Sequence, residues 1–171
     1  MHKQSDSFID QNVNDLVKGD EYYWVWFLLF RSKGLIERLR DRELQEAVGI
    51  SMAMAGVLLF THILGEKATI TEISRWLFKR PNNISQIVSR MEKQGLVNKI
   101  KSSEGRKRVI IILTDKGRQS FDYSLKRIAI KQVMSALSKD EQKQLAIYLE
   151  KIILRCVEQG ASDFKRLLLP W

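Results

Sequence analysis

The 171-residue sequence predicts a mainly α protein with one small β-hairpin, and three observations carry that prediction. Its only prolines are Pro81 and Pro170, so long helices are open to most of the chain. Apolar residues recur at helical spacing through most segments, and Gly49, Gly65, Gly95 and Gly160 fall where the pattern stops. One run, Val109–Leu113, is β-branched and apolar as a strand requires, and it follows a turn at Ser103-Glu104-Gly105.

Taken in order, residues 1–19 read as a flexible polar arm. Residues 20–48 read as one long helix, aromatic in its first half (Tyr22, Tyr23, Trp24, Trp26, Phe27, Phe30) and charged in its second. A helix apolar nearly all round must be buried nearly all round, and a second subunit is the simplest source of that burial. Ser51 is suited to cap a short apolar helix, Met52–Leu64, ended by Gly65. Ala68–Ile70 is expected as a short strand, with Thr71 capping a helix over Glu72–Phe78 whose inward residues are Ile73, Trp76 and Leu77. Pro81 sits where a helix start tolerates proline, and a helix over 82–94 follows. The hairpin pairs Val97–Ser102 with Arg108–Thr114; Lys116-Gly117 is expected as a turn, followed by a helix from Arg118 to Leu137. Ser138 to Glu141 spells a capping box that opens a last helix running to Gln159.

Bulk composition narrows the function. The charge is +9 and the pI near 9.7, which favours a polyanionic partner. The longest apolar run, Tyr22–Phe30, has nine residues, whereas a membrane helix needs ~20. With one cysteine, Cys156, and two histidines, the chain offers no intramolecular disulfide and a poor supply of metal ligands, so no metal or cofactor is expected. It reads as soluble and cytoplasmic, with no membrane partner. No nucleophile elbow, phosphate loop or metal-ligand cluster stands out, so it does not read as an enzyme.

The segment that carries chemistry is a short helix, a turn, a longer helix and a basic hairpin. On a helical wheel, Ile84, Ile87, Val88 and Met91 share one face, while Asn82, Gln86, Ser89 and Lys93 share the other, flanked by Ser85 and Arg90. Asparagine and glutamine pair bidentately with adenine, and arginine with guanine, in the DNA major groove. Polar outer faces are common on solvated helices, but those favour Glu, Lys and Ala, and this face holds weak helix formers. From Lys79 to Arg108 there are nine positive and two negative residues, a net +7 of the chain's +9. That concentration is the electrostatic footprint of a nucleic-acid binder.

Residues from about 49 to 117 resemble the winged helix-turn-helix core of the MarR family of regulators. The resemblance rests on Gly49-Ile50-Ser51, on Ile73-Ser74-Arg75-Trp76-Leu77, on the run Asn82 to Glu92, on Gly95-Leu96-Val97 and on Leu113-Thr114-Asp115-Lys116-Gly117. The flanking helices extend it to about residues 20–158. It implies an N-terminal dimerisation helix over 20–48, a DNA-binding domain over 49–117, and C-terminal dimerisation helices and tail over 118–171. It further implies a homodimer astride a pseudo-palindromic operator in double-stranded DNA, and a repressor released by a small aromatic effector. Base contacts are then expected from Asn82, Asn83, Ser85, Gln86, Ser89, Arg90 and Lys93, wing contacts from Arg106, Lys107 and Arg108, and backbone contacts from Thr71, Lys79 and Arg80. The family's wing usually carries Asp-x-Arg at its tip; Gly105 and Lys107 stand at those positions here, with Glu104 and Arg106 displaced by one.

Dimerisation is also legible without the resemblance. In the last helix Leu145, Tyr148, Leu149, Ile152 and Cys156 form one apolar stripe, and Ile147 and Leu154 a second, so the helix asks for two partners. A buried Cys156 on that stripe would be inert. In the family, effectors lie between the dimerisation helices and the winged domain, where Trp26, Phe30, Met54 and His62 are the candidates; packing within the core is the competing role for the same residues. Two other functions stay open for the chain as a whole: a winged-helix protein-interaction module, and a general nucleic-acid binder without operator specificity.

Overall fold

The computed structural model describes residues 19–101 and 108–160. They fall into two compact units, one up to Ala129 and one from Ile130. In the first, helix α1 runs unbroken over Glu21–Val48. The Asp20 carboxylate caps it by accepting from the Tyr23 amide at 2.9 Å, and Gly49, at φ 67°, closes it in the left-handed conformation that glycine takes without strain. Only Arg40 and Leu44 of this helix are buried.

Helix α2 (Met52–Leu64) starts on the Ser51 hydroxyl, which accepts from the Met54 amide at 3.2 Å, and passes into a 3-10 turn over Gly65–Lys67. The strand expected at Ala68–Ile70 does not form. Ala68 is buried and contributes a single strand-like bond, accepting from the Ile111 amide at 2.8 Å, and helix α3 (Ile70–Trp76) begins at once. Thr69, not Thr71, is its cap, with Oγ1 accepting from the Glu72 amide. Of the predicted inward residues, Ile73 is fully buried, while Trp76 and Leu77 are half-buried. Helix α4 (Pro81–Lys93) has Pro81 in its first turn. Its amphipathic pattern is realised: Ile84, Ile87, Val88 and Met91 are all buried.

Strands β1 (Val97–Lys101) and β2 (Val109–Leu113) pair antiparallel, with Val97 opposite Leu113 and Ile100 opposite Ile110. The turn expected at Lys116-Gly117 is instead the first turn of helix α5 (Asp115–Ser124). Thr114 Oγ1 organises it, accepting from the Gly117 amide at 3.0 Å and donating to the Gly95 carbonyl at 2.6 Å. Gly117 is required there by packing, since a Cβ would lie 2.0 Å from the Leu96 carbonyl oxygen. The single helix expected over 118–137 is likewise two. Arg127, at φ 54°, breaks it, and helix α6 occupies Ile128–Met134.

The core of this unit gathers Leu44, Ile50, Val57, Leu58, Ile73, Ile84, Val88, Met91, Leu96, Val97 and Ile111, each at 1% exposure or less. Every helix from α1 to α4 and both strands contribute, which fixes α4 and the hairpin rigidly side by side.

In the second unit, helix α7 (Lys139–Glu158) opens on the predicted capping box. Glu141 Oε2 accepts from the Ser138 amide at 2.7 Å, and Ser138 Oγ from the Glu141 amide at 3.3 Å. Hydrogen bonding of the carboxyl to the Ser138 side chain and then to the Ser138 amide holds Glu141 below its usual range. No residue of α7 is buried. Among the described residues no single helix is long and apolar enough to cross a membrane.

Candidate nucleic-acid interface

With its apolar face sunk in the core, α4 turns the opposite face outward. Asn82, Asn83, Gln86, Arg90 and Lys93 are exposed, and Ser85 is half-buried. Among the described residues, none of these side chains makes a hydrogen bond or ion pair within the chain. Their donors and acceptors are therefore available to a ligand. Lys79 and Arg80, in the turn before α4, and Thr71, on α3, are exposed as well. Arg108 is exposed at the start of β2, whereas Arg106 and Lys107 lie outside the described residues. The turn itself is strained: Phe78 sits at φ 51° with its ring 63% exposed, a conformation that a bulky side chain rarely adopts.

Ser89 departs from the expected pattern. It is half-buried, and its hydroxyl oxygen accepts from Lys99 Nζ of β1 at 3.2 Å, while Lys99 also pairs with Glu92 at 2.8 Å. Lys99, one of the nine positive residues of this stretch, is thus committed to holding helix against hairpin. The sequence reading missed this link, because it joins a strand to a helix across a turn whose geometry no local pattern specifies.

A second missed arrangement lies on the charged half of α1. The Arg40 and Glu43 side chains are 6% and 11% exposed and pair at 2.7 Å. Arg40 donates to the Ser124 carbonyl at the end of α5. Glu43 accepts from the amides of Ile128 and Ala129 at 3.3 and 2.8 Å, supplying acceptors to the uncapped start of α6. Burial by itself would raise the Glu43 carboxyl; the Arg40 hydrogen bond, the Ala129 amide, the Arg40 charge and the Ile128 amide outweigh it and leave the group below its usual range. Asp41 accepts from the Met52 amide at the start of α2. The start of α2, the end of α5 and the start of α6 are therefore fastened to α1 by its charges.

The four candidate effector residues have separate surroundings. Met54 is a core residue at 7% exposure. His62 is exposed with its ring stacked on Phe121, the centroids 4.6 Å apart. Trp26 and Phe30 are 52% and 61% exposed and stack on each other along α1. Met54 therefore packs in the core, whereas the His62 ring lies at the surface against Phe121. Cys156, expected inside an apolar seam, is exposed in this chain.

A short helix, a strained turn, a helix with an unpartnered polar face and an adjoining basic hairpin define a winged helix DNA-binding domain, and a family profile of that description matches residues 57–117. A Bacillus subtilis protein named as an uncharacterized HTH-type transcriptional regulator, YkoM, is 29% identical over 84 residues, 48% of this chain and 54% of its own length. The chain thus spans about half the length of that curated relative. Two solved structures extend the likeness to the flanking helices. The organohalide sensing RdhR-CbdbA1625 transcriptional regulator, in its 2,4-dichlorophenol bound form, superposes with a TM-score of 0.78 at 26% identity over 92% of this chain and 95% of its own. A MarR family transcriptional regulator from Streptomyces coelicolor, in complex with DNA, gives 0.68 at 25% identity over 87% and 92%. The chain thus carries a winged helix domain over residues 57–117 and shares the overall fold of transcriptional regulators of the MarR type.

Proposed function

We propose that this protein is a dimeric, sequence-specific transcription regulator that reads double-stranded DNA with α4. The observation that carries the proposal is the outward face of α4, where amides and a guanidinium stand without partners among the described residues, beside exposed cations of the preceding turn and the hairpin. Asn82, Asn83, Gln86 and Arg90 are suited to base edges in the major groove, and Lys79, Arg80 and Arg108 to phosphates. Dimerisation is supported by the apolar residues left exposed on α7 and on the aromatic half of α1, which need a protein partner. A two-fold dimer sets its two reading helices about one DNA turn apart, roughly 34–36 Å, and so selects a pseudo-palindromic operator. Repression by occupying a promoter in the cytoplasm, with release by a small aromatic effector, completes the proposal; 2,4-dichlorophenol is bound by one relative, and the exposed Trp26 and Phe30 rings offer stacking surfaces.

The test is a fluorescence-anisotropy titration against the intergenic duplex upstream of the protein's own reading frame, with a scrambled duplex beside it, at two salt concentrations. Tighter binding to the native duplex, steep in salt and saturating at one dimer per site, is expected. Equal weak binding to both duplexes would establish a general nucleic-acid binder instead, and no binding at either salt a protein-interaction module.

A further inference from the structure

The bond between Lys99 and Ser89 fixes the polarity of a side chain on the face that α4 presents. An ammonium group carries donors only, so the Ser89 oxygen is the acceptor in the 3.2 Å contact and its hydroxyl hydrogen must leave in another direction. Serines in helices commonly turn that hydrogen back onto the backbone, and in this chain Ser74, Ser124 and Ser135 do so, donating to the carbonyls of Thr71, Phe121 and Gln132 at 2.8, 2.6 and 2.7 Å. Ser89 makes no such bond among the described residues. Glu92, one helical turn along, holds Lys99 in place from the other side at 2.8 Å, and the Lys99 side chain is only 27% exposed. A free surface lysine would swing to solvent or to a phosphate; this one is clamped between a helix and a strand.

We propose that Lys99 is a positioning residue that occupies one lone pair of the Ser89 oxygen and turns its hydroxyl hydrogen outward, so that this point of α4 favours a base edge offering an acceptor. Guanine N7 and O6, adenine N7 and thymine O4 satisfy it and are favoured over the cytosine amino group, which only the remaining lone pair of the Ser89 oxygen could meet. The inference deepens the DNA-reading function and rests on it. It also removes Lys99 and Glu92 from the set of phosphate-facing charges, because each neutralises the other.

Selection from a random-sequence duplex pool tests it, using the full-length protein, Ser89→Ala, Lys99→Met and Lys99→Arg. The wild type is expected to enrich a motif with an acceptor-bearing base at one position of each half-site. Ser89→Ala and Lys99→Met are both expected to relax that same position, from about tenfold preference to twofold or less, and Lys99→Arg to restore most of it. Glu92→Gln loosens the clamp without touching the hairpin and is expected to reduce the preference at that position alone. It keeps the inference falsifiable where Lys99→Met lowers the melting temperature. A Lys99→Met protein that binds all sequences more weakly with an unchanged motif would overturn the positioning role and leave the DNA-reading function standing. A wild-type protein that enriches no motif would overturn both.

Discussion

Helices α4 and α7 are both amphipathic in sequence, yet their apolar residues have opposite fates. On α4 the apolar face is closed off by the chain itself, with Ile84, Val88 and Met91 fully buried. On α7 nothing is buried, and Ile147, Tyr148, Ile152 and Leu154 remain 42–54% exposed. An apolar pattern therefore states a demand for burial but does not say who meets it. Helix α1 spans both cases: Arg40 and Leu44 are buried within the chain, while Tyr22, Trp26 and Phe30 are more than half exposed.

Met91→Ala empties a core position of α4, and thermal or urea unfolding should show a loss of about 3 kcal/mol, independent of protein concentration. Arg40→Ala leaves the Glu43 carboxylate without its counter-charge and should cost a similar amount, on the order of 3 kcal/mol. The same pair predicts a pH response. Because Glu43 is held below the usual carboxylate range, its contribution is fully present above the unfolded-state pKa and is lost as the pH falls through the lower folded-state value. Melting temperatures between pH 6 and 3 should accordingly converge between wild type and Glu43→Gln in acid; a constant gap would show that Glu43 does not titrate with folding.

Ile152→Asp on α7 should behave differently from Met91→Ala. It is expected to remove about 2 kcal/mol at micromolar protein and to abolish the concentration dependence of the melting temperature, because in the proposed dimer the lost burial is between chains. Light scattering on the variant should report a smaller particle, and an unchanged one would show that α7 is not covered by a second chain. Arg90→Ala, on the open face of α4, should leave stability alone and weaken operator binding about tenfold, with random DNA much less affected. Phe78→Gly is expected to raise stability by about 1 kcal/mol, by relieving a left-handed residue that carries a Cβ.

Much of the molecule was legible in the sequence where structure follows from neighbours. The Ser51 cap, the Ser138 capping box, the breaks at Gly49 and Gly95, the hairpin and the polar face of α4 all depend on residues within a turn or two of one another. The errors came where a distant partner decided. Arg127 divides the expected helix over 118–137, and the amides that this leaves at the start of α6 are satisfied by Glu43, more than eighty residues earlier. Ala68 reads as strand and makes one strand-like bond, but Ile70 is taken by helix before a ladder can grow.

By itself, the sequence determined the class of element at nearly every position, the face of α4 that would stay polar and the concentration of positive charge around it. These follow from periodicity, caps and charge count, which need no knowledge of what lies across the core. Only the tertiary structure decided which charges are free to meet DNA and which are held inside the fold. Lys99, Arg40 and Glu43 look in sequence like any other surface charge, and their roles arise from distances between segments far apart in the chain.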